Sequence, residues 1–147
     1  MIVQDPNQVM NSWNDSGQFC NWVGVTCNSS NGRIILLNLA FSELAGRIPP
    51  SIGNLTFLTE INITSNSFHG KIPQEMGLLL RLKTMDLSSN TLGGNIPANL
   101  TYCTELKEFD MSDNELVGQI PDQLSTLSKL DTFILGINNL LELSQLG

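Results

Sequence analysis

A 24-residue repeat constrains this chain more than any other feature of its 147 residues. The blocks that begin at 58, 82 and 106 share the pattern LxxLxLxxNxLxGxIPxxLxxLxx, a block from 34 fits the same register, and a partial block begins at 130. A unit of this size cannot bury its own apolar face, so each unit must stack on its neighbours. The sequence therefore predicts a solenoid of stacked coils.

Each recurring position has a physical reason. Apolar residues alternate with polar ones early in each block, as at Ile61 and Ile63, which predicts a short strand with one buried face. An asparagine at one fixed place can satisfy turn backbone with its amide, and a glycine before Ile-Pro allows a second bend. The asparagines are Asn66, Asn90, Asn114 and Asn138, and the glycines are Gly70, Gly94 and Gly118.

The repeat and the segment before it resemble plant extracellular proteins. The unit with GxIP is similar to the plant-type leucine-rich repeat, and CNWVGVTC at 20–27 matches the CxWxGVxC of the cap that precedes such repeats. More narrowly, NSFHGKIPQEMG and LSSNTLGGNIPANL are similar to the start of ectodomains in the receptor-kinase subfamily of the elongation-factor-Tu receptor and the rice blight-resistance receptor.

This resemblance implies the fold and its boundaries. The fold is an α/β solenoid, a right-handed leucine-rich-repeat superhelix with a concave parallel sheet, a convex side of short 3-10 turns and loops, and a disulfide-bonded cap. The cap is expected at 1–33, the repeats at 34–140 with starts at 34, 58, 82, 106 and 130, and an irregular end at 141–147.

The cysteine pairing that the resemblance implies indicates an oxidising compartment. The resemblance implies a disulfide between Cys20 and Cys27, which is worth about 2.5 kcal/mol in the chain-entropy model. Cys103 is expected to be a buried free thiol, and a zinc site is disfavoured because only Cys103 and His69 remain, in distant repeats. Asn-x-Ser/Thr glycosylation triplets also indicate a secreted protein, and they begin at Asn14, Asn28, Asn54, Asn62 and Asn99.

The two ends differ from those expected of a complete secreted protein. The start, MIVQDP, has neither the charged region nor the apolar region of a signal peptide, and no apolar run approaches the roughly 20 residues that cross a bilayer. The last block ends without GxIP or a polar cap. These features predict truncation at both ends of a parent protein at the extracellular face of the plasma membrane.

Motifs for catalysis are absent from the sequence. There is no GxSxG, HExxH, P-loop or GxGxxG after a strand, and the single histidine, His69, has no partner base. We therefore expect no enzymatic activity, no cofactor and no metal ion. The net charge of −7 also disfavours nucleic acid and direct contact with an anionic membrane.

The polar strand residues between the buried ones are expected to face the concave surface. The middle of this surface is acidic and rich in hydroxyl groups, and the candidate ligand contacts are Glu60, Thr84, Asp86, Ser88, Glu108, Asp110, Ser112 and Asp113. The alternative is a sheet face that is only solvated. A glycan on Asn62 would cover part of this face, whereas glycans on Asn54 and Asn99 are expected to be harmless on descending or convex segments.

These observations support three functional hypotheses. The first is a recognition module from the start of a plant receptor-kinase ectodomain, which binds a peptide or protein with basic groups and possibly a leucine-rich-repeat co-receptor. The second is a secreted inhibitor of cell-wall-degrading enzymes, and the third is a truncated decoy or non-functional product.

Overall fold

The coils stack in register along the whole repeat region. The computed structural model describes residues 2–13 and 17–141. Its strands are β1 (Ile2–Gln4), β2 (Val25–Cys27), β3 (Ile34–Asn38), β4 (Ala45–Arg47), β5 (Glu60–Asn62), β6 (Ser67–Lys71), β7 (Thr84–Asp86), β8 (Thr91–Asn95), β9 (Glu108–Asp110), β10 (Glu115–Gly118), β11 (Thr132–Ile134) and β12 (Asn139–Leu140).

The concave sheet confirms the predicted register. Its order is β11-β9-β7-β5-β3-β2, and all the repeat strands are parallel. Positions 24 residues apart pair directly, in the column Leu36, Glu60, Thr84, Glu108 and Thr132. The cap strand β2 pairs antiparallel with β3 and so continues the sheet across the first coil.

A second sheet lies next to the concave one, and the sequence analysis did not predict it. Its order is β1-β4-β6-β8-β10-β12, parallel except for the β1–β4 pair. Stacked coils of equal length bring any extended segment beside its counterpart in the next coil, so the residues before Gly70, Gly94 and Gly118 form a ladder. These three glycines have φ of 81°, 72° and 80°, which confirms the predicted bend.

The convex side is built from 3-10 turns, as predicted. Turns follow the prolines of successive repeats, at Pro50–Asn54, Gln74–Leu78, Ala98–Tyr102 and Asp122–Thr126, and two more lie in the cap at Val9–Ser12 and Phe19–Asn21. None of the helices described for 2–13 and 17–141 is both long and apolar enough to cross a membrane.

One apolar core runs through all the coils. Its most buried members include Leu58, Leu82 and Leu106, which begin successive blocks and are fully buried. Phe109 is also fully buried, and its ring stacks on Phe133 of the next coil at 5.2 Å between centroids. The core is therefore continuous between repeats, as expected for units that are stable only when stacked.

The repeated asparagines join one coil to the next. Asn90 is only 7% exposed, and its Oδ1 accepts a hydrogen bond of 2.9 Å from the backbone N–H of Phe68 in the preceding coil. Its Nδ2 donates to the carbonyl oxygens of Ile63, Leu87 and Ser88 at 3.0–3.2 Å. Asn66, Asn114 and Asn138 repeat this arrangement.

The cap covers the first coil through its disulfide and two tryptophans. Cys20 and Cys27 are bonded, with 5.6 Å between their Cα atoms, which confirms the implied pairing. The rings of Trp13 and Trp22 stack at 4.9 Å, and Trp13 Nε1 donates to the Val23 carbonyl at 2.9 Å. The boundaries at 33 and 140 stay a prediction, and Met1, Asn14 and the segment 142–147 lie outside the described residues.

Candidate ligand-binding face

The predicted contact residues lie on the concave strands or directly after them. Glu60, Thr84 and Glu108 pair in one column, and Asp86 pairs with Asp110 in the next. Neighbouring strands of a sheet are about 4.8 Å apart, so these carboxylates form a compact acidic group. Among the described residues, none of them forms an ion pair with a basic side chain.

Asp86 and Asp110 each use one carboxylate oxygen to hold the turn that follows a concave strand. Asp86 Oδ1 accepts hydrogen bonds from the backbone N–H and the hydroxyl of Ser88 at 3.0 and 2.6 Å. Asp110 Oδ1 does the same with Ser112 at 2.9 and 2.7 Å. The second oxygen of each carboxylate forms no hydrogen bond with the described residues.

The sequence analysis missed this structural role of the column. In the two earlier coils an asparagine occupies the position, and Asn38 and Asn62 accept from the backbone N–H two residues later at 3.0 Å. The sequence could have indicated this role through the Asn or Asp at the end of each strand, because these side chains form turns with the backbone two residues later.

Ser88 contributes to the face indirectly. It is only 7% exposed, and its hydroxyl contacts both Asp86 and Thr64, the latter at 2.7 Å. Little of its surface is left for a ligand, so its role is to hold Asp86 in place. Ser112 is less buried and holds Asp110 in the same way.

The residues after the concave strands have left-handed backbones. Ser65, Ser89 and Asp113 have φ of 53–56°, and their N–H groups donate to carbonyl oxygens of the following coil. The same column begins at Phe41 and ends at Ile137, which are 75% and 78% exposed. An acidic centre is thus flanked by apolar side chains at both ends.

The glycosylation triplets lie in different surroundings. Asn62 is half-buried on the concave face, and Asn99 is half-buried in a convex turn. Asn28 Oδ1 accepts hydrogen bonds from the backbone and the hydroxyl of Ser30. Asn54 ends a convex turn, as expected, and also borders a cleft against the cap.

Cys103 is a buried free thiol, as predicted. It is fully buried, and its Sγ donates to the Met76 carbonyl at 3.3 Å. Burial raises the pKa of Cys103 to about 11. Among the described residues, no group of three His, Cys, Asp or Glu side chains could hold a metal ion.

The Cys103 environment predicts slow thiol chemistry in the folded state. At pH 8 the thiolate fraction is expected to be roughly 100-fold lower than in the unfolded chain, so labelling with an aromatic disulfide reagent should be at least that much slower. Because the folded-state pKa is raised, the stability contributed by this group is present below about pH 9 and falls as the pH rises towards 11. Complete labelling within the mixing time in the folded state would contradict the burial.

Comparison with known proteins identifies both parts of the chain. The leucine rich repeat N-terminal domain matches residues 2–28, and the leucine rich repeat matches 81–103 and 105–127. The LRR receptor-like serine/threonine-protein kinase EFR from Arabidopsis thaliana is 52% identical over 59 residues, which are 40% of this chain and 6% of EFR. The chain therefore spans a small part of the curated relatives that it matches.

Two solved structures from Arabidopsis thaliana extend the similarity to nearly the whole chain. A chain of the BIR3–SERK2 complex superposes with a TM-score of 0.87 at 37% identity, over 96% of this chain and 78% of that one. The ectodomain of the receptor kinase GASSHO1/SCHENGEN3, in complex with CASPARIAN STRIP INTEGRITY FACTOR 2, gives 0.90 at 35% identity, over 97% and 18%. The chain thus belongs to the family of plant leucine-rich-repeat receptor ectodomains.

Proposed function

We propose that this chain is the first part of a plant receptor ectodomain that recognises a peptide or protein outside the cell. EFR and GASSHO1/SCHENGEN3 are receptor kinases by name, and the GASSHO1/SCHENGEN3 ectodomain is solved with a bound factor. These matches favour a receptor over a secreted enzyme inhibitor or a decoy. The matched regions belong to a binding fold, so we assign any kinase activity to another part of a parent protein, anchored at the plasma membrane.

The acidic group on the concave face carries this proposal. Asp86 and Asp110 are held in fixed positions by their hydrogen bonds at the strand ends, and the second oxygen of each carboxylate has no hydrogen-bond partner among the described residues. Side chains that are already ordered lose less entropy when a ligand binds. Since no internal cation neutralises them within the described residues, a lysine or arginine of the ligand would supply the missing charge.

The spacing of the coils restricts the ligand further. Glu60 and Glu108 lie two coils apart in one column, which corresponds to about 9.6 Å along the solenoid. A peptide in the polyproline II conformation has three residues per turn and advances about 3.1 Å per residue, so basic residues three positions apart lie on one side and match this separation. We therefore propose a ligand with basic residues at positions i and i+3. We also propose a leucine-rich-repeat co-receptor, since the similar structure is a complex of two proteins, BIR3 and SERK2.

The charge of the acidic group is testable without disturbing the turn. Glu60→Gln combined with Glu108→Gln removes two carboxylates of this group and leaves the hydrogen bonds of Asp86 and Asp110 in place. We expect this variant to bind a labelled peptide with arginines at i and i+3 about tenfold more weakly, and to keep its Tm. The matched control is Glu115→Gln, an exposed carboxylate on the second sheet, and equal binding by all three proteins would refute the proposed face.

A further inference from the structure

The basic residues of this acidic chain are concentrated where the concave strands begin. Five of the seven Lys and Arg residues lie one to three positions before a strand, and all five are exposed. We call this surface the strand-start edge, and it consists of Arg33, Phe57, Arg81, Lys83, Lys107 and Lys129. Two acidic residues, Glu105 and Asp131, share the edge, so it is positive on a chain whose net charge is −7.

Two arginines of this edge stack on one phenylalanine. The guanidinium carbons of Arg33 and Arg81 lie 5.0 and 4.0 Å from the centroid of the Phe57 ring. They come from the coils on either side, because the strand order places β3 and β7 on opposite sides of β5. Cation–π contact orders both side chains, yet neither guanidinium donates a hydrogen bond to the described residues. Two ordered arginines thus present free donors next to each other.

A cleft between the cap and the second block opens beside this stack. It has a volume of about 310 Å³ and is bordered by Phe19 and Trp22 of the cap, by Arg33, and by the segment 54–57. Phe19 packs edge-on against Trp22 at 6.3 Å between centroids. Arg33 and Phe57 belong to both the cleft and the stack, so an aromatic cavity adjoins the paired guanidinium groups.

The positive charge of the edge extends along several coils. Lys129 forms an ion pair with Glu105 at 2.8 Å and lowers the pKa of that carboxyl, and Lys83 and Lys107 lower it further. Lys83 and Lys107 themselves form no ion pair with the described residues. An anionic partner along the edge would therefore meet Lys83 and Lys107 as well as the arginine pair.

We propose that the strand-start edge binds an acidic segment of a partner polypeptide. A large apolar side chain of that segment enters the aromatic cleft, and flanking carboxylates bind Arg33, Arg81 and Lys83. A uniformly charged polyanion has no group that would fill the cleft, which favours a polypeptide. This surface is distinct from the acidic concave face and opposite in charge, so it goes beyond the ligand site proposed above.

The test uses the whole chain, secreted with its disulfide formed, and a labelled peptide with four glutamates around one phenylalanine. Arg81→Gln is expected to weaken binding at least fivefold, because it removes one of the two paired guanidinium groups. Lys71→Gln removes the same charge from the second sheet and is expected to change binding less than twofold. The concave variant with Glu60→Gln and Glu108→Gln should bind this peptide unchanged, which separates the outcome from that of the ligand site.

Three results would overturn the proposal. Equal losses in Arg81→Gln and Lys71→Gln would mean only diffuse attraction to the chain. Equal binding of a peptide with serine in place of phenylalanine would mean that the cleft takes no part and that any polyanion suffices. A glycan found by mass spectrometry on Asn54 of the secreted chain, with no peptide binding by either this chain or Asn54→Gln, would mean that the surface takes no acidic segment even when the cleft is free of sugar.

Discussion

Asn90→Ala is expected to lower the free energy of unfolding by about 3 kcal/mol and the Tm by roughly 10 °C. The substitution leaves the buried N–H of Phe68 and the carbonyl oxygen of Ile63 without the amide that bonds them. A buried backbone group without a partner costs about 1–3 kcal/mol, and at a position that is only 7% exposed bulk water does little to replace the lost hydrogen bonds. Loss of the Asn90 side chain also weakens the contact between two coils that depend on each other for stability.

Urea unfolding followed by circular dichroism measures this effect. Asn95→Ala is the matched control, because Asn95 lies in the same repeat, is exposed, and forms no side-chain hydrogen bond with the described residues. It should change the free energy of unfolding by less than about 0.5 kcal/mol. If both variants unfold at the same urea concentration, the asparagine ladder does not join the coils as described.

The concave sheet was predictable because its information is periodic. Leu58, Leu82 and Leu106 recur every 24 residues and fix the register of the coils. The register alone then places the strand positions between the buried residues in columns. The second sheet was not predictable in this way. Its strands contain glycines, as at Gly93 and Gly94, and show no alternation, so only the equal length of the stacked coils brings them into a ladder.

The chemistry of the site was less predictable than its position. Asp86 was expected as a ligand contact, yet the structure shows that one of its oxygens ends a strand and that Ser88 is buried beneath it. A polar residue on an open face can serve either role, and residue type alone does not separate them. The Arg33–Phe57–Arg81 stack was missed because its members are 24 residues apart at positions where the repeat pattern specifies no residue.

The distribution of charge gives the two proposed surfaces different partners. In the two proposals the concave carboxylates bind basic groups and the strand-start edge binds acidic ones, although Lys107 and Glu108 are neighbours in sequence. Alternate side chains of a strand point to opposite sides, and the edge lies where the chain turns into the strand. A single coil can therefore present opposite charges to two partners, which suits a module that binds a ligand and a second protein together.

Gly77→Ala is expected to lower the free energy of unfolding by about 2–3 kcal/mol, although it adds only one methyl group. A Cβ at this position would overlap the carbonyl oxygen of Asn99 in the next coil and lie 2.9 Å from the Asn99 Cβ. Gly53 meets Glu75 in the same way one coil earlier, so the convex turns stack too closely for any side chain here. The sequence analysis assigned importance to the glycines of the bend and overlooked this pair, whose backbone needs no positive φ.

The matched control for Gly77→Ala is Gly93→Ala. An added Cβ at Gly93 would meet only the Glu115 carbonyl oxygen at 3.8 Å, an ordinary contact. Because alanine also restricts the unfolded chain, Gly93→Ala should be neutral or stabilise by up to about 1 kcal/mol. Hydrogen exchange should further show faster opening of the convex turns at 74–78 and 98–102 in Gly77→Ala, with the concave strands less affected. If the two variants are equally stable, the close approach of the convex turns contributes little to stability. The concave ladders and the asparagines alone would then hold the coils together.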